Sequence, residues 1–261
     1  MLGRSQSSLR PMVDKLAYWA KLDSYWGEFA EADAEALLDL PHRTRKLERH
    51  GYNVREREMT THSCVMLSGY AIRHKIVVGG SRQIVAVHMK GDIVDLQNSF
   101  LSVADHSVQV LTDAEVAFIP REAIKKLCFE RPNVGMAMWH DTLVDGSVFR
   151  EWIANVGRRD AHTHIAHLLC EFSLRLKVAG LGQETDYEMP MTQEQIADCV
   201  GLTPVHVNRT LKVLEAEKLI TRKSSRGIVI GDWKKLAEAG DFDSNYLHLR
   251  HDEPALDQTS L

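Results

Sequence analysis

The 261-residue chain lacks closely spaced cysteines, a long apolar run and an overall excess of basic residues. Because its four cysteines are far apart, no pair has the spacing of a zinc knuckle, an iron–sulfur motif or a redox dithiol. No stretch approaches the roughly 18 apolar residues that a membrane span needs, and the N-terminus lacks the apolar segment of a signal peptide. We therefore expect a cytoplasmic protein with reduced thiols and with no membrane association, metal or cofactor.

Charge is unevenly distributed along the chain. The formal net charge is −4, yet residues 192–235 contain eight Lys and Arg against five Asp and Glu, a local net charge of +3. The remainder therefore carries −7. With 44% hydrophobic residues, the composition is that of a globular protein with two modest domains, each with its own core. A basic module on an acidic body is typical of a DNA-binding domain joined to a regulatory domain.

Three kinds of sequence precede this basic module. Residues 11–40 are typical of a helix rich in aromatic residues, which Pro41 ends. Short apolar stretches separated by glycine turns run from Val65 to Pro120 and predict an antiparallel sandwich or roll. Residues 132–156 and 161–178 then predict two helices.

The longer of these helices has an apolar stripe at three- and four-residue intervals, interrupted by Asp141 and Asp145. The stripe consists of Val134, Met138, Val144, Val148 and Trp152. Such a stripe either covers the predicted sheet or forms the seam of a two-fold dimer. We favour the dimer seam.

The basic module contains the pattern of a helix-turn-helix. A capping box that begins at Thr192 starts a helix at Gln193. Gly201 suits a left-handed turn at the end of that helix, and Thr203 caps a second helix whose first residue is Pro204. Two short helices joined by a three-residue turn containing glycine form a helix-turn-helix.

The second helix has two faces when it is turned by about 100° per residue. Its apolar face contains Val207, Leu211 and Leu214, and its opposite face contains Val205, Asn208, Arg209 and Lys212 with His206 at the edge. Arginine can donate two hydrogen bonds to guanine and asparagine can pair with adenine, so the polar face is suited to reading bases. Residues 220–230 predict a hairpin wing, in which Arg222, Lys223 and Arg226 are placed to contact phosphate. A solvated helix face or a protein-binding winged helix would show a similar pattern, and both alternatives remain open.

This stretch resembles the helix-turn-helix of the Crp/Fnr family of bacterial regulators in its QEQIAD helix, its 201–203 turn, Arg209, its LKVLEAEKLI continuation and its wing. Upstream, GRRDAHTHIAHLLCEF resembles the family's hinge and following helix, and GYAIRHKIVVGGSRQIVAVHMKGDIVDL resembles its effector-domain roll. The resemblance implies an α+β fold. That fold has an N-terminal antiparallel β-roll of the jelly-roll, cyclic-nucleotide-binding type with flanking helices, a long dimerisation helix and a C-terminal winged helix-turn-helix.

The resemblance also implies domain bounds and partners. The bounds are 1–130 for the sensor roll, 131–157 for the dimerisation helix, 158–240 for the DNA-binding domain and 241–261 for a C-terminal tail. The partners are a second copy of the chain, a palindromic double-stranded DNA operator and RNA polymerase. We do not expect an enzyme, because the sequence contains no nucleophile–base constellation, phosphate loop or metal-ligand spacing. The expected DNA contacts are Thr192, Gln193, Thr203, Val205, His206, Asn208, Arg209, Lys212 and Arg226.

The recognition helix departs from the commonest family pattern at two positions. The family usually has a glutamate where this chain has Val205, and a serine or glycine where it has Asn208. A carboxylate accepts a hydrogen bond from cytosine N4, whereas valine can only contact a thymine methyl. We expect an Arg209–guanine contact to persist and the base preference beside it to differ.

The effector pocket departs further. Members that bind cyclic nucleotides carry a Gly-Glu pair for the ribose and an Arg-Ser pair for the phosphate, where this chain has residues 91–96 and 105–107. The candidate pocket residues are Asp95, Leu96, His106 and Ser107. A phosphate favours a permanent guanidinium, whereas histidine is uncharged much of the time at neutral pH and the neighbouring Asp105 opposes an anion. We expect no dependence on cyclic AMP or cyclic GMP.

Other histidines and one cysteine have alternative roles. Haem ligation by His62, His74, His88 or His106 is an open alternative, although single histidines in strands are more often hydrogen-bonded or exposed. In the cluster at His162, His164 and His167 only the last two share a helix face, and we expect a solvated surface there rather than a metal site. Cys199 is expected in the core, the alternative being a redox-sensitive thiol. A small-molecule sensor that acts through protein contacts is the alternative to a DNA-binding regulator, and the trigger of regulation is not readable from the sequence.

Overall fold

The computed structural model describes residues 31–249. The first part of the chain contains α1 (Glu31–Leu38), β1 (Arg43–Leu47), β2 (Tyr52–Val54), β3 (His62–Ser68), β4 (Ala71–Ile76), β5 (Arg82–His88), β6 (Ile93–Val94), β7 (Ser107–Val110) and β8 (Ala114–Pro120). The second part contains α2 (Arg121–Glu130), α3 (Pro132–Arg158), α4 (Ala161–Val178), β9 (Asp186–Glu188), α5 (Gln193–Val200), α6 (Pro204–Ala216), β10 (Ile220–Arg222), β11 (Gly227–Ile230) and α7 (Trp233–Ala239). Single 3₁₀ turns lie at Leu96–Ser99 and Ser244–Leu247.

The first eight strands form a roll of two antiparallel four-stranded sheets, which confirms the predicted roll. Their orders are β1-β8-β3-β6 and β2-β7-β4-β5. The turn between β3 and β4 depends on Gly69, whose φ is +77° and where an added Cβ would lie 2.5 Å from the carbonyl oxygen of Asp113. Strand β1 was not predicted because four of its five residues are exposed and its sequence, RTRKL, is polar. Its pairing with β8 makes it a strand.

The apolar stripe predicted as the dimer seam is instead packed within the protomer, so this prediction is wrong. Val134, Met138, Val144 and Trp152 are at most 7% exposed, and Val148 is half-buried. One of the two aspartates that interrupt the stripe follows from this packing, because Asp145 forms an ion pair with Arg73 of the roll at 2.8 Å. The stripe therefore covers the roll and helix α4.

Helix α3 exposes a second apolar face, which the sequence analysis did not single out. It consists of Met136, Trp139, Leu143, Phe149, Ile153 and Val156, each between 39% and 59% exposed. These residues also recur mainly at three- and four-residue intervals, so periodicity alone cannot tell which stripe faces the core. We call this set the outer face of α3.

The roll has two apolar clusters of its own, and a third cluster extends from the DNA-binding region into the roll. Ile84 and Val87 of β5 belong to the same cluster as Val200 and Leu211. Polar contacts reinforce the junction: the Arg82 guanidinium lies 2.7 Å from Asp198, and the Gln83 amide donates to the carbonyl of Cys199 at 3.0 Å. Strand β5 thus packs on helix α5 of the same protomer.

The predicted solvated histidine face on α4 is also wrong. His164 and His167 are buried, at 5% and 1% exposure, while the half-buried His162 pairs with Glu217 at 2.7 Å. Cys199 is 2% exposed, and burial raises the pKa of its thiol well above the ordinary value, as expected for a core residue. These side chains pack α4 against the rest of the C-terminal region.

Two predictions lie outside the described residues. The aromatic-rich helix was predicted from residue 11, and only its last part, α1, is described. The acidic tail after Arg250 lies beyond the described chain. Within residues 31–249, no helix is both long enough and apolar enough to cross a membrane.

Candidate nucleic-acid interface

Helix α5 begins and ends as the sequence predicts. The Thr192 hydroxyl accepts a hydrogen bond from the Gln195 amide at 3.3 Å, and the Gln195 side chain accepts one from the Thr192 amide at 2.8 Å. Gly201 has a φ of 67°, in the left-handed region that favours glycine. The side chains of Thr192 and Gln193 are half-buried at the start of this helix. The turn therefore fixes where α6 begins.

Helix α6 packs one face and exposes the other. Its N-cap, Thr203, accepts a hydrogen bond from the His206 amide at 3.3 Å. The packed face contains Val207, Leu211 and Leu214, each at most 3% exposed. On the opposite face Val205 is 80% exposed, and Arg209 and Lys212 are exposed as well. The side predicted to read bases is thus open to solvent in the protomer.

Two of the predicted base-reading side chains already have partners. The Arg209 guanidinium lies 3.1 Å from Nε2 of His206, one helical turn earlier. The half-buried Asn208 accepts a hydrogen bond from Arg222 of the wing at 3.4 Å. His206 therefore orients Arg209, and Asn208 links the helix to the wing before any DNA is bound.

The wing is a three-stranded sheet in the order β10-β11-β9, of which the sequence analysis predicted two strands. Arg222 is bound by Glu215 at 2.6 Å, and this hydrogen bond holds the pKa of Glu215 below its ordinary value. Lys223 pairs with Asp186 of β9. The predicted phosphate contacts of Arg222 and Lys223 would require these ion pairs to be exchanged, whereas Arg226, half-buried in the turn, lies in no ion pair among the described residues.

The predicted effector-pocket residues lie close together in the roll, and Asp95 and His106 are bonded to each other. Asp95 is 1% exposed and adopts a left-handed backbone with φ 60°. Its carboxylate lies 2.7 Å from Nε2 of His106, whose Nδ1 lies 2.6 Å from Asp105. Leu96 is buried beside them, and the Ser107 hydroxyl accepts a hydrogen bond from the Glu56 amide. Two carboxylates therefore bind the imidazole of His106, one at each ring nitrogen.

Arg73 of β4 completes this cluster, and the sequence analysis missed it. Its Nε lies 3.6 Å from Asp95, and its Nη1 donates to Asp145 of α3 at 2.8 Å. Despite its burial, the pKa of Asp95 is held below the ordinary value by the hydrogen bond from His106 and by the charge of Arg73. No sequence motif marks Arg73 as a site residue. It reaches the cluster because β4 pairs with β7, where Arg73 lies opposite Val108.

Comparisons with known proteins agree with this geometry. The model of the cyclic nucleotide-binding domain matches residues 44–131, and that of the Crp-like helix-turn-helix domain matches residues 163–239. The chain belongs to the Crp/Fnr family of bacterial transcription regulators. Among this family's members, the transcriptional activator FnrL of Cereibacter sphaeroides is 26% identical over 69% of this chain and 73% of its own length. The nitrogen fixation regulator FixK of Bradyrhizobium diazoefficiens is 29% identical over 70% of this chain and 77% of its own length.

Solved structures of Crp/Fnr regulators share the fold. FixK2 from Bradyrhizobium japonicum superposes with a TM-score of 0.71 at 22% identity, covering 77% of this chain and 98% of that one. A mutant of CooA from Carboxydothermus hydrogenoformans gives 0.64 at 18% identity, covering 82% and 91%. These likenesses concern the fold, because the identities are low.

Proposed function

We propose that the protein is a cytoplasmic, sequence-specific transcription regulator that binds a palindromic operator as a homodimer and needs no cyclic nucleotide. The observation that carries the proposal is the open side of α6, where Val205, Arg209 and Lys212 are exposed above a fully packed opposite face. A helix that presents arginine and lysine side chains in this way is suited to insertion into the major groove. The name of FnrL as a transcriptional activator supports RNA polymerase as a further partner.

The outer face of α3 supports the homodimer. Trp139, Leu143 and Ile153 are each more than half exposed, and apolar groups on one long helix favour burial against an equivalent helix across a two-fold axis. The same axis would place two copies of α6 about one turn of duplex apart, roughly 34 Å. This face replaces the stripe from Val134 to Trp152 as the proposed seam.

The two carboxylates bound to His106 support independence from cyclic nucleotides. A phosphate there would meet Asp95 and Asp105, and it would have to displace His106 from both. The only guanidinium that contacts Asp95 among the described residues, that of Arg73, is also bound to Asp145. Burying an anion against two carboxylates is unfavourable without a compensating cation.

Selection of genomic fragments by the purified protein tests the proposed function. Fragments retained without added nucleotide should share a two-fold symmetric sequence, and Arg209→Ala should retain them poorly. Recovery of fragments with no common sequence at low salt, equally by wild type and variant, would contradict sequence-specific regulation.

A second experiment tests the dimer seam. Leu143→Glu places a charge on the outer face of α3 and should shift the protein toward monomer in sedimentation velocity. The control is Val78→Glu, at a fully exposed apolar residue of the β4–β5 turn, which should sediment as the wild type does. An unchanged dimer in both variants, or a wild type that is a monomer, would contradict the proposed seam.

A further inference from the structure

Asn208 lies on the polar side of α6, and what it can read depends on how its amide is oriented. An asparagine amide accepts hydrogen bonds at its oxygen and donates them at its nitrogen. When the amide is free to turn over, it can present both groups to adenine, accepting from N6 and donating to N7. The contacts of Asn208 within the protein decide whether its amide is free in this way.

The wing fixes which end of the Asn208 amide faces it. The Arg222 guanidinium donates from Nη1 to Oδ1 of Asn208 at 3.4 Å. Because a guanidinium has only donors, the amide atom that faces it has to be the oxygen and not the nitrogen. Within residues 31–249, Nδ2 of Asn208 has no hydrogen-bond partner. The nitrogen is therefore the end of Asn208 that stays available to DNA.

Arg222 is in turn held by Glu215 at the end of α6. Its Nη2 lies 2.6 Å from Oε2 of Glu215, and its backbone amide donates to Oε1 at 3.2 Å. The side-chain hydrogen bond from Arg222 lowers the pKa of Glu215, so the carboxylate is ionised at neutral pH. Hydrogen bonds between charged groups are stronger than neutral ones and have defined geometry. Arg222 therefore reaches Asn208 from a fixed position.

The neighbouring side chains on this side of α6 also lack a free acceptor. The Arg209 guanidinium lies 3.1 Å from Nε2 of His206, and this nitrogen accepts because the guanidinium can only donate. The exposed Lys212 has an ammonium group, which has donors only, and the exposed Val205 has no polar side-chain atom. With Asn208 oriented by the wing, these side chains offer donors and methyl groups to DNA.

We propose that Arg222 and Glu215 are positioning residues that hold the Asn208 amide with its nitrogen toward the DNA, so that Asn208 selects guanine over adenine in the operator. In the major groove guanine presents two acceptors, N7 and O6, whereas adenine presents N7 beside its N6 donor. An amide that offers only its nitrogen leaves the adenine N6 group without a partner. The proposal rests on the proposed DNA-binding function and specifies a base that it reads.

The orientation of the amide can be measured without DNA. In the isotopically labelled full-length protein, Arg222→Met keeps most of the side-chain length but removes the donor. It should therefore shift the NMR resonance of the Asn208 side-chain carbonyl carbon. The control is Thr221→Ala, at the exposed neighbour of Arg222 on β10, which should leave this resonance in place. An Asn208 carbonyl resonance that does not move in Arg222→Met would overturn the positioning role of Arg222.

Selection of operators from a randomised DNA pool measures the base preference. Asn208→Ala identifies the contacted position, because the preference there should disappear. At this position the wild type should favour guanine over adenine about tenfold, whereas Arg222→Met, whose amide can turn over, should favour adenine. Thr221→Ala should select as the wild type does. A wild type that favours adenine, or an unchanged guanine preference in Arg222→Met, would overturn the proposal. A merely structural role of Arg222 would lower affinity for all sequences alike and leave the preference unchanged.

Glu215→Gln tests the second positioning residue while leaving Arg222 in place. It removes the charge that holds the guanidinium, so the preference for guanine should fall, but by less than in Arg222→Met. A full preference for guanine in Glu215→Gln would contradict the role of Glu215.

The two measurements separate this proposal from the proposed function. If the wild type selected no common sequence, sequence-specific regulation would fail, and the carbonyl resonance would still decide whether Arg222 orients Asn208. If the wild type selected a symmetric operator with adenine at the position read by Asn208, regulation would stand and the positioning proposal would fail.

Discussion

The family resemblance implies a DNA-reading surface on the recognition helix and a ligand site in the roll, and the two regions differ in how closely they match these expectations. Helix α6 has an open polar face, with its arginine free of carboxylate partners among the described residues and oriented by His206. In the roll, Asp95 of the predicted pocket is bonded to His106 and forms an ion pair with Arg73. The comparison indicates that the polar face of α6 is open to a partner, whereas the charged groups of the roll cluster already bind one another.

The largest expected effect comes from comparing a buried carboxylate with an exposed one, both of which contact His106 in the roll. Asp95→Asn removes a fully buried charge that faces Arg73 and His106, and it should lower the free energy of unfolding by about 3–5 kcal/mol. Asp105 contacts the same imidazole but is 79% exposed, so Asp105→Asn should cost at most about 1 kcal/mol. Urea unfolding of both variants measures the difference. Equal losses would show that the buried cluster does not organise the roll.

The second prediction concerns pH. Burial, aided by the charge of Arg73, lowers the pKa of His88 to about 4, and burial also lowers the pKa of His74, His164 and His167. Below about pH 6.5 these histidines are protonated in the unfolded chain but remain neutral in the folded chain. The free energy of unfolding should therefore fall as the pH decreases. For His88 the fall should reach about 3 kcal/mol by pH 4.

Unfolding curves from pH 8 to pH 4 check this expectation. His88→Gln should flatten the profile between pH 6.5 and pH 4, whereas His62→Gln, at an exposed position of β3, should leave its slope unchanged. A profile of His88→Gln that is as steep as that of the wild type would contradict a neutral, buried His88.

The third prediction separates base reading from phosphate contact on α6. Arg209→Ala should cost about 1–3 kcal/mol at the specific operator and little on scrambled DNA. Lys212→Ala should weaken binding to both by a similar factor and reduce the dependence of log Kd on log salt by about one. Fluorescence anisotropy at several salt concentrations measures both. If Lys212→Ala lost affinity only for the operator and Arg209→Ala lost it equally for both DNAs, the helix would have to dock on DNA in a different orientation.

The last prediction is that cyclic nucleotides do not bind. Titration calorimetry of the protein with cyclic AMP and with cyclic GMP should give no binding at micromolar concentrations, because Asp95 and Asp105 already hold His106. Micromolar binding of either nucleotide would mean that Asp95 and Asp105 rearrange. The roll would then be as open to a ligand as α6 is to DNA, which would contradict the comparison.

The two regions also differ in how far the sequence predicts them. The helix-turn-helix depends on contacts between residues three or four positions apart, such as the cap from Thr192 to Gln195 and the left-handed Gly201, and its helix bounds were predicted closely. The roll cluster depends on Arg73 meeting Asp95 and Asp145, far along the chain. No local pattern reports such contacts, so Arg73 was missed.

Helix α3 shows why a correct helix can still be given the wrong role. Its bounds followed from periodicity, but Val144 and Leu143 belong to two apolar stripes, one buried and one 54% exposed. The burial of the first stripe and the pairing of Asp145 with Arg73 show that this stripe faces the roll. The 3₁₀ turn at Ser244–Leu247 was not predicted for a similar reason, since its Tyr246 hydroxyl donates to Glu171, 75 positions earlier.

Binding to operators with altered half-site spacing tests the central claim most directly. A symmetric dimer that presents two copies of α6 reads half-sites about one helical turn apart, so inserting about five base pairs between them rotates one half-site to the opposite side of the duplex. We expect this insertion to reduce affinity to that of scrambled DNA. Affinity that is unchanged by the insertion would contradict a two-fold symmetric regulator that reads DNA through this helix.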